Sequence, residues 1–363
     1  MGHDDGDSVL AMNRKDSGAD RVSAAPRWVL LCVALAGLSL QGCGLVHDAL
    51  QYVAPVAADE LDAICRRQRV QVGMAVEPFR PFVFPAIWTD EGSRVTGLDV
   101  ELVRHIVEAL SQLCGRPITP VLHLVRFRDL FLQLSEGKLD MFVSAVPSNV
   151  PIRAWAGFAY SIPYFQHGGL SGITRRPDVA DRIRQRLQPQ SGAPSSVQTS
   201  EEVLAGLAVA VQKGTASQHY AVANLPASRV VLCDSLPAAF ESAESSADPG
   251  IDVILGAVPV LEYMVARVKK EWRLLVHAEG KPFFLTRGQY AVVMSEESYR
   301  LRWFVNGVIF RLDESGQLER MRARWMDEPY AFPRRAAVEG LPFDVEKMVL
   351  QYSQGACRAD RAR

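Results

Sequence analysis

The chain has 363 residues, 48% hydrophobic and 22% charged, and its 40 Lys and Arg against 41 Asp and Glu leave a formal charge of −1. That length suffices for two ordinary domains with separate cores, and the apolar content excludes wholesale disorder. A balanced charge also argues against a nucleic-acid binder, which needs a basic face.

In chain order, the first informative run is WVLLCVALAGLSLQG, residues 28–42, apolar, uncharged and preceded by Arg27. It is shorter than the roughly 20 residues of a spanning helix and reads as the apolar region of an export signal. Met12 opens a more usual n-region, MNRK, and is a second candidate start. The run ends in LQGC, Leu40 to Cys43, which resembles the lipobox of bacterial lipoproteins, with Gln41 departing from its second position. The resemblance implies a signal segment over residues 1–43 and a lipid on Cys43, hence attachment to a membrane. A plain signal peptide cleaved nearby is the alternative. Setting aside Cys32 and Cys43, Cys65, Cys114, Cys233 and Cys357 remain for an oxidising compartment. Three pairings are open to them, and burial as a free thiol is the alternative for Cys233.

Residues 44–67 read as a helical tether. VQVGMAV (70–76) reads as a buried strand, GLDVELVRHIVEALSQLCG (97–115) as an amphipathic helix closed by Gly115, and ITPVLHLV (118–125) as a second strand. FRDLFLQLSEGK (127–138) is a second helix and LDMFVSAV (139–146) a third strand, so β-α-β-α-β implies a parallel, doubly wound sheet. After a linker at 175–202, rich in Pro, Ser and Gln from 188 onward, the pattern repeats. LAVAVQKG, TASQHYAVANL, RVVLCD, SLPAAFESAES, IDVILGAV and PVLEYMVARVKKE alternate strand and helix between residues 207 and 271. A strand, GQYAVVM (288–294), and two helices split by a turn at Asp313–Gly316 follow; residues 328–363 show no regular pattern.

Ligands of doubly wound sheets gather at the carboxyl ends of the strands. Three such ends carry chemistry here. EPFRPFVF (77–84) is an aromatic loop in which Phe84 reads as core. PSNVPIR (147–153) delivers Ser148 and Arg153, and a guanidinium suits bidentate carboxylate recognition. QKGTAS (212–217) places Gly214 and Thr215 at a helix start, where free amides favour an anion.

Taken in order, RPFVF (80–84), GLDVEL (97–102), GKLD (137–140), PSNVPIR (147–153), YSIPYF (160–165), VQKGT (211–215), QYAVV (289–293) and ESGQLERMRARW (314–325) resemble the motifs of the family 3 extracellular solute-binding proteins of bacterial ABC importers. The resemblance runs from about residue 68 to 327. It implies an α/β, bilobal, periplasmic-binding-protein-like (type II) fold of two doubly wound sheets joined by a hinge. Lobe 1 would take residues 68–167 and 281–327, lobe 2 residues 168–280, with 328–363 as an extension. It further implies hinge closure over a small carboxylate-bearing ligand and delivery to an inner-membrane ABC permease, with no cofactor. Arg153, helped by Ser148, would grip the carboxylate from lobe 1; Gln212, Gly214 and Thr215 would meet the ligand from lobe 2, and Phe79 and Phe127 would flank it.

Two departures from the family pattern shape the expected ligand. The acid that holds an amino-acid ammonium is replaced by Ala257, and the acid of the first loop by Val76. A buried ammonium without a carboxylate costs several kcal/mol, so a carboxylate lacking an amine fits better unless Glu77 substitutes. The resemblance also leaves room for an accessory or sensory protein, for example a partner of a periplasmic quinoprotein dehydrogenase. A cyclohexadienyl-dehydratase-like enzyme with Glu77 as its acid is a remote third reading. GGLSGI lacks the spacing of a nucleophile elbow, and the seven histidines never fall at metal-ligand spacing. The expectation is a binding protein, not an enzyme.

Overall fold

The computed structural model describes residues 60–75, 79–84, 87–89, 92–148, 157–188, 199–245, 250–277, 279–328, 340–342 and 357–359. Cys43, Val76, Glu77 and Arg153 lie outside them. Residues from Asp59 to Arg363 form one compact unit.

The first half runs α1 (Glu60–Arg67), β1 (Arg69–Ala75), a hairpin of β2 (Ile87–Thr89) and β3 (Gly92–Val95), α2 (Leu98–Cys114), β4 (Thr119–Val125), α3 (Phe127–Ser135), β5 (Met141–Pro147), β6 (Phe158–Tyr160) and β7 (Phe165–Thr174). The second runs α4 (Pro177–Arg186), α5 (Ser200–Leu204), β8 (Ala208–Gln212), α6 (Ala216–Asn224), β9 (Arg229–Cys233), α7 (Leu236–Glu244), β10 (Val253–Ala257) and α8 (Val258–Tyr263), continued by one π-helical turn, Met264–Val268. After β11 (Arg273–Leu274) come β12 (Thr286–Ser295), α9 (Tyr299–Glu314), α10 (Gln317–Asp327), β13 (Leu341–Pro342) and β14 (Cys357–Ala359).

The main sheet has the order β14-β9-β8-β10-β7-β12-β5-β1-β4. Within it β4-β1-β5 and β9-β8-β10 are parallel triplets with the first-made strand in the middle. Each triplet with its helices is an α/β unit, here called lobe 1 and lobe 2 in chain order. They join through β7 and β12, which pair antiparallel to each other, to β10 and to β5. The crevice of each triplet therefore opens at the carboxyl ends of β1 and β5 in one lobe and of β8 and β10 in the other.

Local chemistry explains the elements. In α2, Val103, Ile106, Val107 and Leu110 face the core at helical spacing, and Gly115, at φ +64°, closes the last turn. Its entry needs Gly97, because a Cβ there would lie 2.1 Å from the Phe82 carbonyl oxygen. Phe84 is core, 1% exposed, with its ring against Tyr263 and Trp325.

Two expectations change. The linker at 175–202 contains the helix α4, since Pro177 pre-sets its first turn and Val179 and Ile183 bury one face. The extension after residue 328 contributes two strands, β13 on β3 and β14 on β9. The cysteine pairing is Cys65–Cys114, tying α1 to the end of α2, and Cys233–Cys357, fastening β14 to the lobe 2 sheet. Cys233 is therefore not a free thiol. Among the described residues, no helix is long and apolar enough to cross a membrane.

Candidate ligand-binding site

A cavity of about 700 Å³ lies where the four strand ends converge. Ala75 ends β1, Ala145 and Pro147 end β5, Gln212 ends β8 and Ala257 ends β10, and all of them line it. Gly169, Leu170, Thr286 and Tyr290 of the two hinge strands line it as well. The lobes touch beside it. A Cβ on Gly214 of lobe 2 would sit 3.0 Å from the Arg128 Cβ on α3 of lobe 1.

The lobe 1 wall is held from behind by Asp99, which has no accessible surface. Its Oδ1 accepts the Tyr164 hydroxyl at 2.7 Å and its Oδ2 accepts the Ala145 amide at 2.9 Å. Ala145 thereby holds φ +47°, a left-handed conformation that a residue with a Cβ adopts at some cost. Burial pushes the Asp99 carboxyl up to about 7, and the two hydrogen bonds only partly oppose it. Beside it Tyr290 is 1% exposed, with Phe82 edge-on at 5.4 Å and Phe165 stacked at 5.6 Å. Its hydroxyl lies near the Gly169 amide without a well-aligned hydrogen bond. Burial raises the Tyr290 pKa, so the phenol stays neutral.

The lobe 2 wall is built by the turn into α6. Gly214 has φ +73°, and its amide donates to Gln218 Oε1 at 2.7 Å. The Thr215 hydroxyl donates to the Gln212 carbonyl at 2.7 Å rather than capping the helix, so the first amides of α6 have no side-chain cap from it. Arg287, on β12, stacks its guanidinium over Phe284 at 4.7 Å and also lines the cavity. Among the described lining residues there is no Asp or Glu.

Of the residues singled out from sequence, Phe79, Phe127, Gln212, Thr215 and Ala257 line the cavity. Ser148 does not, and its hydroxyl donates to the Gln289 carbonyl at 3.3 Å. Gly214 shapes the turn without lining the cavity. Tyr290, Arg287 and the α6 face of His219, Tyr220 and Asn224 are lining residues that sequence reasoning missed. The signal available for α6 was its poverty in large apolar residues, which leaves one face with little to bury.

Two α/β lobes joined by two crossing strands around a crevice define a type II binding-protein fold. Residues 70–328 match the family model of bacterial extracellular solute-binding proteins, family 3, and the chain belongs to that family. No curated protein matches the chain. Among solved structures, a mutant of ArgBP from T. maritima aligns with TM-score 0.58 and 23% identity over 74% of this chain and 100% of that one. An amino acid ABC transporter substrate-binding protein from Streptococcus pneumoniae, bound to L-arginine, aligns with TM-score 0.58 and 18% identity over 74% and 98%. An ancestral amino acid-binding protein, a precursor of cyclohexadienyl dehydratase, aligns with TM-score 0.55 and 19% identity over 74% and 99%. At these identities the likeness carries the fold.

Proposed function

We propose that this solute-binding protein captures a small carboxylate-bearing ligand between its lobes and presents it to an ABC permease. In this reading it is an exported, periplasmic protein held at a membrane through Cys43. Arg153, six residues after the end of β5 in sequence, would grip the carboxylate, while Thr215 and the first amides of α6 would meet it from lobe 2. The observation that carries the reading is the Arg128–Gly214 contact across a crevice that still encloses a cavity. That is the arrangement hinge closure around a guest requires.

Ala257 in the position of an ammonium-binding acid, together with the absence of Asp and Glu from the described lining, favours a ligand whose amine is missing or masked. The relatives with bound L-arginine keep amino acids in the test panel. Calorimetry on the full chain, titrated with carboxylates and amino acids, should find at least one ligand that binds. Arg153→Ala should weaken it about 30-fold or more, the loss of a charge-assisted pair worth about 2 kcal/mol. An unchanged affinity in that variant, or no binding by any member of the panel, ends the proposal.

A further inference from the structure

The cavity does not stop at the Gly214–Thr215 turn. Ala216, His219, Tyr220, Ala223 and Asn224 all line it, at spacings of three, four, seven and eight residues from Ala216. That spacing is one continuous face of α6, and it carries the lining along about 14 Å of helix from Thr215 to Asn224. This face combines two alanines with His219, Tyr220 and Asn224 and carries no carboxylate or ammonium. The Tyr220 hydroxyl is bonded to the Ser200 hydroxyl, which fixes its ring, and Asn224 Nδ2 donates to the Tyr220 carbonyl at 3.0 Å, leaving its Oδ1 as an acceptor. The volume points the same way. About 700 Å³ equals the liquid volume of roughly two dozen waters at ~30 Å³ each. A free amino acid fills only a fraction of it, although the lobes already touch at Arg128 and Gly214.

We propose that the cavity face of α6 is a second subsite, taking the uncharged arm of an elongated carboxylate whose acid group sits at the Thr215 end. The ligand class is an acid extended by an acyl or aryl group, with any amine it carries masked as an amide. This rests on the capture reading above and adds the length and polarity of the guest. No lining residue of the α6 face carries a formal negative charge or an ammonium, so a charged arm would gain no ionic partner there. Asn224 and His219 offer hydrogen bonds to an amide or ether along the arm.

The test uses two probes on the full chain: phenylacetate, a short acid, and N-benzyloxycarbonyl-phenylalanine, a long acid with its amine masked. The expected result is that the long probe binds at least tenfold more tightly. Ala223→Trp, on the cavity-lining face of α6, should cost the long probe tenfold or more and leave the short probe within twofold. Ala223→Leu should give the same selective loss at smaller size, and melting curves of both variants check that the fold is retained. Equal effects on the two probes, no effect on either, or equal affinities in the unmodified chain overturn the subsite. Binding of the short probe alone rejects the subsite and leaves the capture reading standing. Binding of neither probe removes the subsite, and failure across the wider carboxylate and amino-acid panel removes the capture reading as well.

Discussion

The two walls of the cavity are built to different specifications. On the lobe 1 side, β5 is locked by Asp99, by the Tyr164 hydroxyl and by the rings of Phe82, Phe165 and Tyr290. On the lobe 2 side, one glycine turn and a short helix face the cavity, and the sheet behind them is finished by a strand borrowed from 124 residues away. The contrast is one of construction: buried hydrogen bonds and packed rings hold the first wall, and a turn with one helix face forms the second.

The largest expected effect breaks the first wall. Asp99 has a carboxyl raised from 3.8 to about 7 by burial. Between those values the native state keeps a proton that the unfolded chain has released. This contribution to stability is therefore fully present below about pH 4 and is lost as pH rises to about 7, a total of about 4 kcal/mol. Asp99→Asn should flatten that slope, as read by chemical denaturation at pH 5 and pH 8. An unchanged slope would show that other groups set it.

Next in size is the second wall's fastening. Replacing Cys233 and Cys357 together by Ser opens a closed loop of 124 residues and should cost about 3 kcal/mol, measured by urea denaturation. The melting of lobe 1 should follow only through the shared sheet, so separate transitions would sharpen the comparison. The smallest effect lies at the contact between the walls. Gly214→Ala forces a Cβ into φ +73° and against Arg128, costing about 1 kcal/mol in the closed form. Melting temperature should fall slightly from the backbone strain, and ligand affinity should fall up to about fivefold from the added crowding against Arg128.

The parallel triplets were readable because each strand and helix carries its own periodicity, as in Val70, Val72 and Met74 of β1. The hinge strand β7 was not. Its FQHGGLSGIT has low strand propensity, and the glycines are there because the neighbours approach so closely. A Cβ at Gly169 would meet the Thr286 carbonyl oxygen at 2.2 Å, and one at Gly172 would meet Val253 and Leu275 at 2.8 Å. Single-sequence patterns do not report a neighbour 80 or 100 residues away. The same holds for β14, three residues long, whose place is set by the edge of β9 and by one cysteine bond. Within the site, Phe79, Phe127, Gln212 and Thr215 were legible from motif order. Tyr290 and the α6 face were hidden because their roles come from what packs around them.

The clasp of Cys357 on Cys233 also sets an order of assembly. Everything between these two residues, including β12, α9 and α10 of the first lobe, is synthesised before the outer edge of β9 can be covered. Until then β9 offers an unpaired row of amides and carbonyls, the kind of edge that recruits stray strands. Lobe 2 is thus completed only once the chain has passed through lobe 1, when Cys357 reaches Cys233 and β14 pairs along Val231–Cys233.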